Sequence, residues 1–200
     1  MAGWRGRGIL VLALLASACG GNTPAPAMPE EEFAKLTPDE AIAAEREALA
    51  RCGNVTNEGY CGIRFGMAVE EARKTFPVEF EGSEVRDGAD VSPDRCYELF
   101  AVAPVTGVSF LVEGGKVGRI DVLTEAIRTA EGFGVGTQAL AIRTHYGNGL
   151  YVETNALEPD ITDLTATVGS TKYVFEIQDG LVRSWRAGTE PTITYVAHCG

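Results

Sequence analysis

"GIRFGMAVEEARKTF" (62–76) and "GFGVGTQALAIRTHY" (132–146) lie 70 residues apart, and their likeness decides the fold. Gly62, Gly66 and Arg73 recur as Gly132, Gly136 and Arg143, while Ile63, Phe65 and Phe76 recur in kind as Phe133, Val135 and Tyr146. Each copy reads as a Gly-rich turn followed by a short helix, over 67–75 and 137–145. The first helix must stop near Phe76, because Pro77 disfavours helical backbone at the residue before it. Helices this short do not persist alone in water. Their apolar residues, such as Val69, Ala72 and Phe76, need a sheet to cover.

The sheet follows in both copies. "VEFEG" (78–82) and "LYVET" (150–154) alternate, and "CYELFAV" (96–102) and "LTATV" (164–168) come next. "VSFLVEGGKVGRIDV" (108–122) and "YVFEIQDGLVRSWRA" (173–187) read as hairpins turning at Gly114-Gly115 and Asp179-Gly180, since such pairs tolerate the left-handed backbone a tight hairpin demands. At an offset of 65, Phe110, Gly115, Val117, Thr124 and Glu125 fall on Phe175, Gly180, Val182, Thr189 and Glu190. Two matched blocks in the same order imply an internal duplication. The fold class expected is α+β: two tandem units, each a short helix on a small antiparallel sheet, covering 60–126 and 127–200. Neither half buries a secure core alone, so the two must share an interface or join sheets edge to edge. "TITYVAH" (192–198) reads as a last strand.

Ahead of the repeats, "TPDEAIAAEREALARCG" (37–53) opens with a capping box: Thr37 caps, Pro38 suits the first helical position and Glu40 reaches back. This lead helix and a cysteine loop occupy 37–59. "MAGWRGRGILVLALLASACGG" (1–21) has a positive start, an apolar run from Ile9 to Ala16, then small residues and Cys19. That is a secretory signal, with an apolar run too short for the ~20 residues a membrane span needs. It resembles a bacterial lipoprotein signal, which implies cleavage after residue 18 and lipid on the Cys19 thiol and amino group. Gly20 in place of a retaining Asp implies an outer-membrane destination in the same logic. Residues 19–36, Gly/Pro-rich and then acidic, read as an extended, solvated tether.

Of 17 basic and 28 acidic residues, 1–18 hold Arg5 and Arg7 and no acid, so the mature chain keeps 15 basic residues against 28 acidic and carries −13. Such charge disfavours nucleic acid and anionic headgroups. Besides Cys19 there are Cys52, Cys61, Cys96 and Cys199, an even set that in an exported chain suggests two disulfides. Four cysteines allow three pairings. Cys52–Cys61, around a loop rich in Gly and Asn, with Cys96–Cys199, is the pairing favoured. No Cys-x-x-Cys spacing occurs and only two histidines exist, so no metal and no cofactor is expected. The acidic stretches 84–96 and 157–163 miss the EF-hand ligand register and read as solvated loops. No G-x-S-x-G elbow or dinucleotide fingerprint is present, and nothing selects a catalytic pair from the acids, so no catalytic residue is expected.

The opening "GIRFGMAVEEARKTF" also resembles the short Gly-Met motif of a superfamily that includes the β-lactamase inhibitory proteins and the SmpA/OmlA outer-membrane lipoproteins. The resemblance spans about 60–200 and implies tandem helix-plus-four-strand units. Ala68 stands where that motif has a capping Thr, and the second copy reads Gly-Thr-Gln. No inhibitory residue is carried over.

Alternation places Val108, Phe110 and Val112 with Tyr173, Phe175 and Ile177 toward the helices. Arg119, Asp121, Ser184 and Arg186 then lie opposite Ile120, Val122 and Trp185. Trp185 is core if it packs like its counterpart Ile120, or a partner's anchor if it lies on an open face beside Arg183. The candidate partner-binding set is Trp185, Arg183, Arg186, Arg119, Tyr151 and Tyr97. The function expected is a non-enzymatic outer-membrane lipoprotein that binds an envelope protein through its sheet surface. The alternatives are an envelope glycan or small-ligand binding module and, last, a carboxylate hydrolase.

Overall fold

The computed structural model describes residues 28–82, 96–196 and 199. The signal, most of the tether, His198 and the acidic stretch 83–95 lie outside the described residues. After a helical turn, α1 (Glu30–Phe33), comes the lead helix α2 (Pro38–Ala48). Its capping box is formed: Glu40 N donates to Thr37 Oγ1, and Thr37 N donates to the Glu40 carboxylate at 2.8 Å. A small ribbon, β1 (Gly59–Tyr60) with β2 (Ile63–Arg64), leads into α3 (Val69–Thr75). Strands β3 (Phe80–Gly82), β4 (Tyr97–Ala101), β5 (Val108–Glu113) and β6 (Lys116–Val122) follow. Then come α4 (Ala139–Tyr146) and strands β7 (Leu150–Thr154), β8 (Thr162–Val168), β9 (Thr171–Gln178) and β10 (Leu181–Gly188).

The strands β3 to β10 form one eight-stranded antiparallel sheet in the order β3-β4-β5-β6-β10-β9-β8-β7. Two four-stranded meanders therefore meet edge to edge at β6 and β10, with Trp185 opposite Val122 and Ala187 opposite Ile120. The approach at this seam is close. A Cβ on Gly188 would sit 2.4 Å from Gly118 O, so only glycine fits there. The junction removes one exposed edge from each meander, which is the liability any open sheet must manage.

Both helices lie on one face of the sheet, and the core sits beneath them. Phe76, at the end of α3, stacks on Phe80 at 4.9 Å and meets Phe110 edge-on at 5.4 Å. Ile142 of α4 is fully buried, and Phe133 meets Phe175 edge-on at 6.2 Å. His145, at the end of α4, lies edge-on to Phe133. The helix starts are held alike. Gly66 N donates to Val117 O (2.7 Å) and Val69 N to Gly115 O (2.9 Å); Gly136 N donates to Val182 O (2.8 Å) and Ala139 N to Gly180 O (2.9 Å). Neither Ala68 nor Gln138 caps with its side chain. A carbonyl of the facing hairpin turn takes the first helical N–H instead, which is why no Thr is needed there.

The hairpin turns carry positive φ at both central residues, Gly114 and Gly115 in one and Asp179 and Gly180 in the other. The disulfides are Cys52–Cys61 and Cys96–Cys199. Two expectations need correction. Residues 192–196, the described part of the expected last strand, do not form one: Thr192–Thr194 is a 3-10 turn after Pro191, closed by Thr192 Oγ1 donating to Thr189 O at 2.9 Å. The stretch 19–36 is not all extended, since α1 lies within it and Met28 N donates to Ala103 O at 3.0 Å. No helix among the described residues is long and apolar enough to cross a membrane.

Candidate functional site

The face of the sheet away from the helices carries cross-strand rows of polar side chains. One row runs Tyr151, Thr165, Val174, Arg186, Asp121, Ser109, Phe100 and Glu81 from β7 to β3. A neighbouring row is Glu153, Asp163, Glu176 and Ser184. An exposed sheet face would leave these groups in water. Here two segments rise over it and make a groove of about 760 Å³ across the β6–β10 seam.

One wall is the chain after β10. Thr189 N donates to Gly118 O (3.0 Å), and Arg119 Nη1 donates to the carbonyls of Thr192 (2.9 Å) and Tyr195 (3.0 Å). Tyr195 OH donates to Glu113 (2.7 Å), and Cys199 is tied to Cys96 at the head of β4. The absence of a side chain on Gly118 makes room for Thr192. The other wall is the β7–β8 loop. Asn155 Oδ1 accepts from the backbone N–H groups of Leu157 (2.9 Å) and Glu158 (3.0 Å), while its Nδ2 donates to Asp163 (3.1 Å).

Three arginines pair with carboxylates in this groove, and a fourth carboxylate, Glu98, also lines it. Arg119 Nε donates to Asp121 at 2.8 Å, and Arg186 Nη1 to Glu176 at 2.7 Å. Arg183 grips Glu158 with both Nη atoms, in the forked geometry that suits guanidinium and carboxylate. Ser184 Oγ also donates to Glu176, and Ser109 Oγ to Glu98. Burial pushes the Asp121 carboxyl up despite the lowering pull of Arg119. Asp163 is likewise raised by burial, partly offset by the bond from Asn155. At the mouth, the hydrogen bond from Arg183 holds exposed Glu158 below the ordinary carboxylate range. Leu123, Leu157 and Val196 are exposed around the rim.

Of the candidate residues, Arg119, Arg183 and Arg186 converge here. Trp185 does not serve as an exposed anchor. Its side chain is 2% exposed and packs against Phe175, because it shares the helix-side face with Val122 and Phe175, its partners across the strands. Tyr97 is half-buried on that same helix side, against the core. Tyr151 is exposed on the open face, but on the edge strand β7. Sequence reasoning missed Glu176, Glu158 and Asn155 as groove residues. Alternation put Glu176 on the open face, but nothing in the sequence says that a loop 18 residues earlier folds back to it. Among the described residues no group of three or more His, Cys, Asp or Glu is placed to hold a metal.

No family model matches the chain, and no curated protein matches it. Three solved structures are similar to it at low identity. The uncharacterized protein YfeY from Escherichia coli is 13% identical, with a TM-score of 0.47 over 69% of this chain and 100% of its own. An extracellular SCP-domain protein from Bacillus anthracis is 10% identical, with a TM-score of 0.43 over 64% of this chain and 45% of its own. The DUF4309 family protein YjgB from Bacillus subtilis is 11% identical, with a TM-score of 0.41 over 76% of this chain and 97% of its own.

Proposed function

We propose that this chain is a non-enzymatic binding protein of the bacterial envelope, lipid-anchored at Cys19 in the outer membrane, whose binding site is the groove on the open face of its sheet. It is built from two tandem copies of one helix-plus-four-strand unit, as in the β-lactamase inhibitory protein and SmpA/OmlA superfamily. The paired bonds at the helix starts support the tandem reading: Gly66 to Val117 and Val69 to Gly115 recur 70 and 65 residues on. The two disulfides suit an oxidising compartment.

The observation that carries the binding reading is the groove itself. Its volume of about 760 Å³ lies in the range of ligand sites, and a tethering disulfide and a side-chain-braced loop hold its two walls. The groove carboxylates Asp121, Glu158 and Glu176 are each engaged by an arginine, which suits recognition better than proton transfer. A protein partner over the same face is the second reading, favoured by the exposed rim of Leu123, Leu157 and Val196.

Photo-crosslinker placed at Leu157 in living cells tests both. A small adduct, or none with ligand-dependent protection, supports the first reading. A stoichiometric protein adduct supports the second. Adducts indistinguishable from those of a crosslinker at Glu70 on α3 remove the groove as the site. Mass spectrometry of the mature N-terminus tests the anchor: an unmodified Cys19 removes it.

A further inference from the structure

Resting on the groove as the binding site, we infer that its ligand is a neutral polyhydroxylated molecule, a short saccharide. Three features select that class. The first is that the groove's charges are already engaged. Arg119, Arg183 and Arg186 pair with Asp121, Glu158 and Glu176, and the fourth lining carboxylate, Glu98, accepts from Ser109 Oγ. A charged ligand would compete with these partners, and stranding the buried Asp121 or Glu176 is costly. An uncharged ligand breaks none.

The second feature is the mixed donor and acceptor surface. A guanidinium has five N–H donors and a carboxylate about four lone-pair sites, so an Arg–carboxylate pair keeps spare capacity for both kinds of bond. A sugar hydroxyl donates and accepts at once, so it fits beside such a pair, where a pure donor or pure acceptor meets one half only. Along the floor, Arg186 stands directly across from Asp121, with Glu176 bonded to both Arg186 and Ser184. Neighbouring positions therefore alternate donor and acceptor.

The third feature is the apolar mouth. Leu123, Leu157 and Val196 come from three separate elements and ring a polar floor. A pyranose has polar hydroxyls at its edge and apolar C–H faces, so edge-down insertion satisfies the floor while the faces meet the rim. Most protein interfaces have the opposite anatomy, an apolar centre inside a polar rim.

The test uses the full-length protein in detergent, with a glycan array of neutral and acidic saccharides, and tri-lysine and citrate as charged probes. Trp4 lies in the signal, so Trp185 is the single tryptophan of the processed chain and reports from beneath the floor. The result expected is saturable binding of a neutral glycan that changes Trp185 fluorescence. Arg183→Met should weaken it at least tenfold, as should Leu157→Trp, which crowds an exposed rim position, spares the fold and, because it adds a second indole, is read by calorimetry. Glu71→Gln on α3 should leave affinity unchanged. Saturable binding of tri-lysine or citrate that Leu157→Trp abolishes, with no neutral glycan bound, overturns the saccharide while leaving the groove as the site. Glycan binding that survives both groove variants overturns the site itself. No binding of any neutral glycan overturns the inference.

Discussion

Gly66 and Gly136 offer the sharpest test of the idea that one construction is used twice. Both have positive φ, +87° and +81°, and both donate N–H to the carbonyl of the second strand residue after a hairpin turn, Val117 and Val182. A Cβ at Gly66 would meet nothing within 4 Å, and one at Gly136 only Glu125 Oε1 at 3.9 Å. Alanine at either position therefore costs conformation and not contact. Left-handed backbone costs an L-residue about 1–2 kcal/mol. Losing glycine's freedom in the unfolded chain returns roughly 0.4–1 kcal/mol. The net is about 1 kcal/mol destabilisation for Gly66→Ala and the same for Gly136→Ala. The sites share no partner, so the double variant should lose about 2 kcal/mol, additive within roughly 0.5 kcal/mol. For a domain of this size that is a fall in Tm of about 4–8 °C. Urea melts with an unchanged m-value would measure it. Gly188→Ala is the contrast: its Cβ would strike backbone of β6, so it should cost about 3 kcal/mol, the upper end for overpacking. If Gly66→Ala were neutral while Gly136→Ala cost several kcal/mol, the two turns would not be equivalent and the reasoning would fail.

The disulfides should differ by loop length. Closing a separation of 103 residues contributes about 4.7 kcal/mol in the chain-entropy model and closing 9 about 2.6, so removing Cys96 and Cys199 should lower the urea midpoint more than removing Cys52 and Cys61. The reverse order would show that local packing, not chain entropy, governs them. Glu45 of α2 accepts from Thr106 N and Thr124 Oγ1, and burial raises its pKa above the unfolded value. A raised carboxyl makes the folded state bind its proton first, so wild type should gain stability relative to Glu45→Gln as pH falls from 7 toward ~4.3. Parallel melts across that window check the sign. In the groove, Arg186→Met removes the nearer cation of Glu176 and leaves Arg183 at 3.5 Å, so it should cost about 1–3 kcal/mol, while adding Glu176→Leu should recover much of the loss. A double-mutant cycle with no coupling would refute that pairing.

The periodicities and turns were legible because they are local. Alternation put Phe110 and Phe175 toward the helices, Gly114-Gly115 and Asp179-Gly180 announced the hairpins, and Thr37-Pro38 with Glu40 announced α2. These choices rest on backbone sterics and on neighbours within a few residues. The cysteine pairing was narrowed by loop composition, though Cys96 and Cys199 meet only because the chain after β10 crosses β6. Other features depended on distant packing. Trp185 faces the core because the β9–β10 hairpin sets it opposite Phe175 beyond a bulge between Val182 and Ser184, a shift that strict alternation does not carry. The meeting of β6 with β10 set it beside Val122 and left Arg186 opposite Asp121.

The sequence by itself determined the lead helix, the two repeated helices, the eight strands of the sheet and their order, because φ/ψ preference and hydrophobic period act over short spans. The tertiary structure alone decided that there is a groove. Its walls are a loop and a C-terminal crossing whose partners, Arg183 for the loop and Arg119 for the crossing, lie 25 and 73 residues away along the chain. Enclosure is a property of three-dimensional approach, so no local pattern carries it.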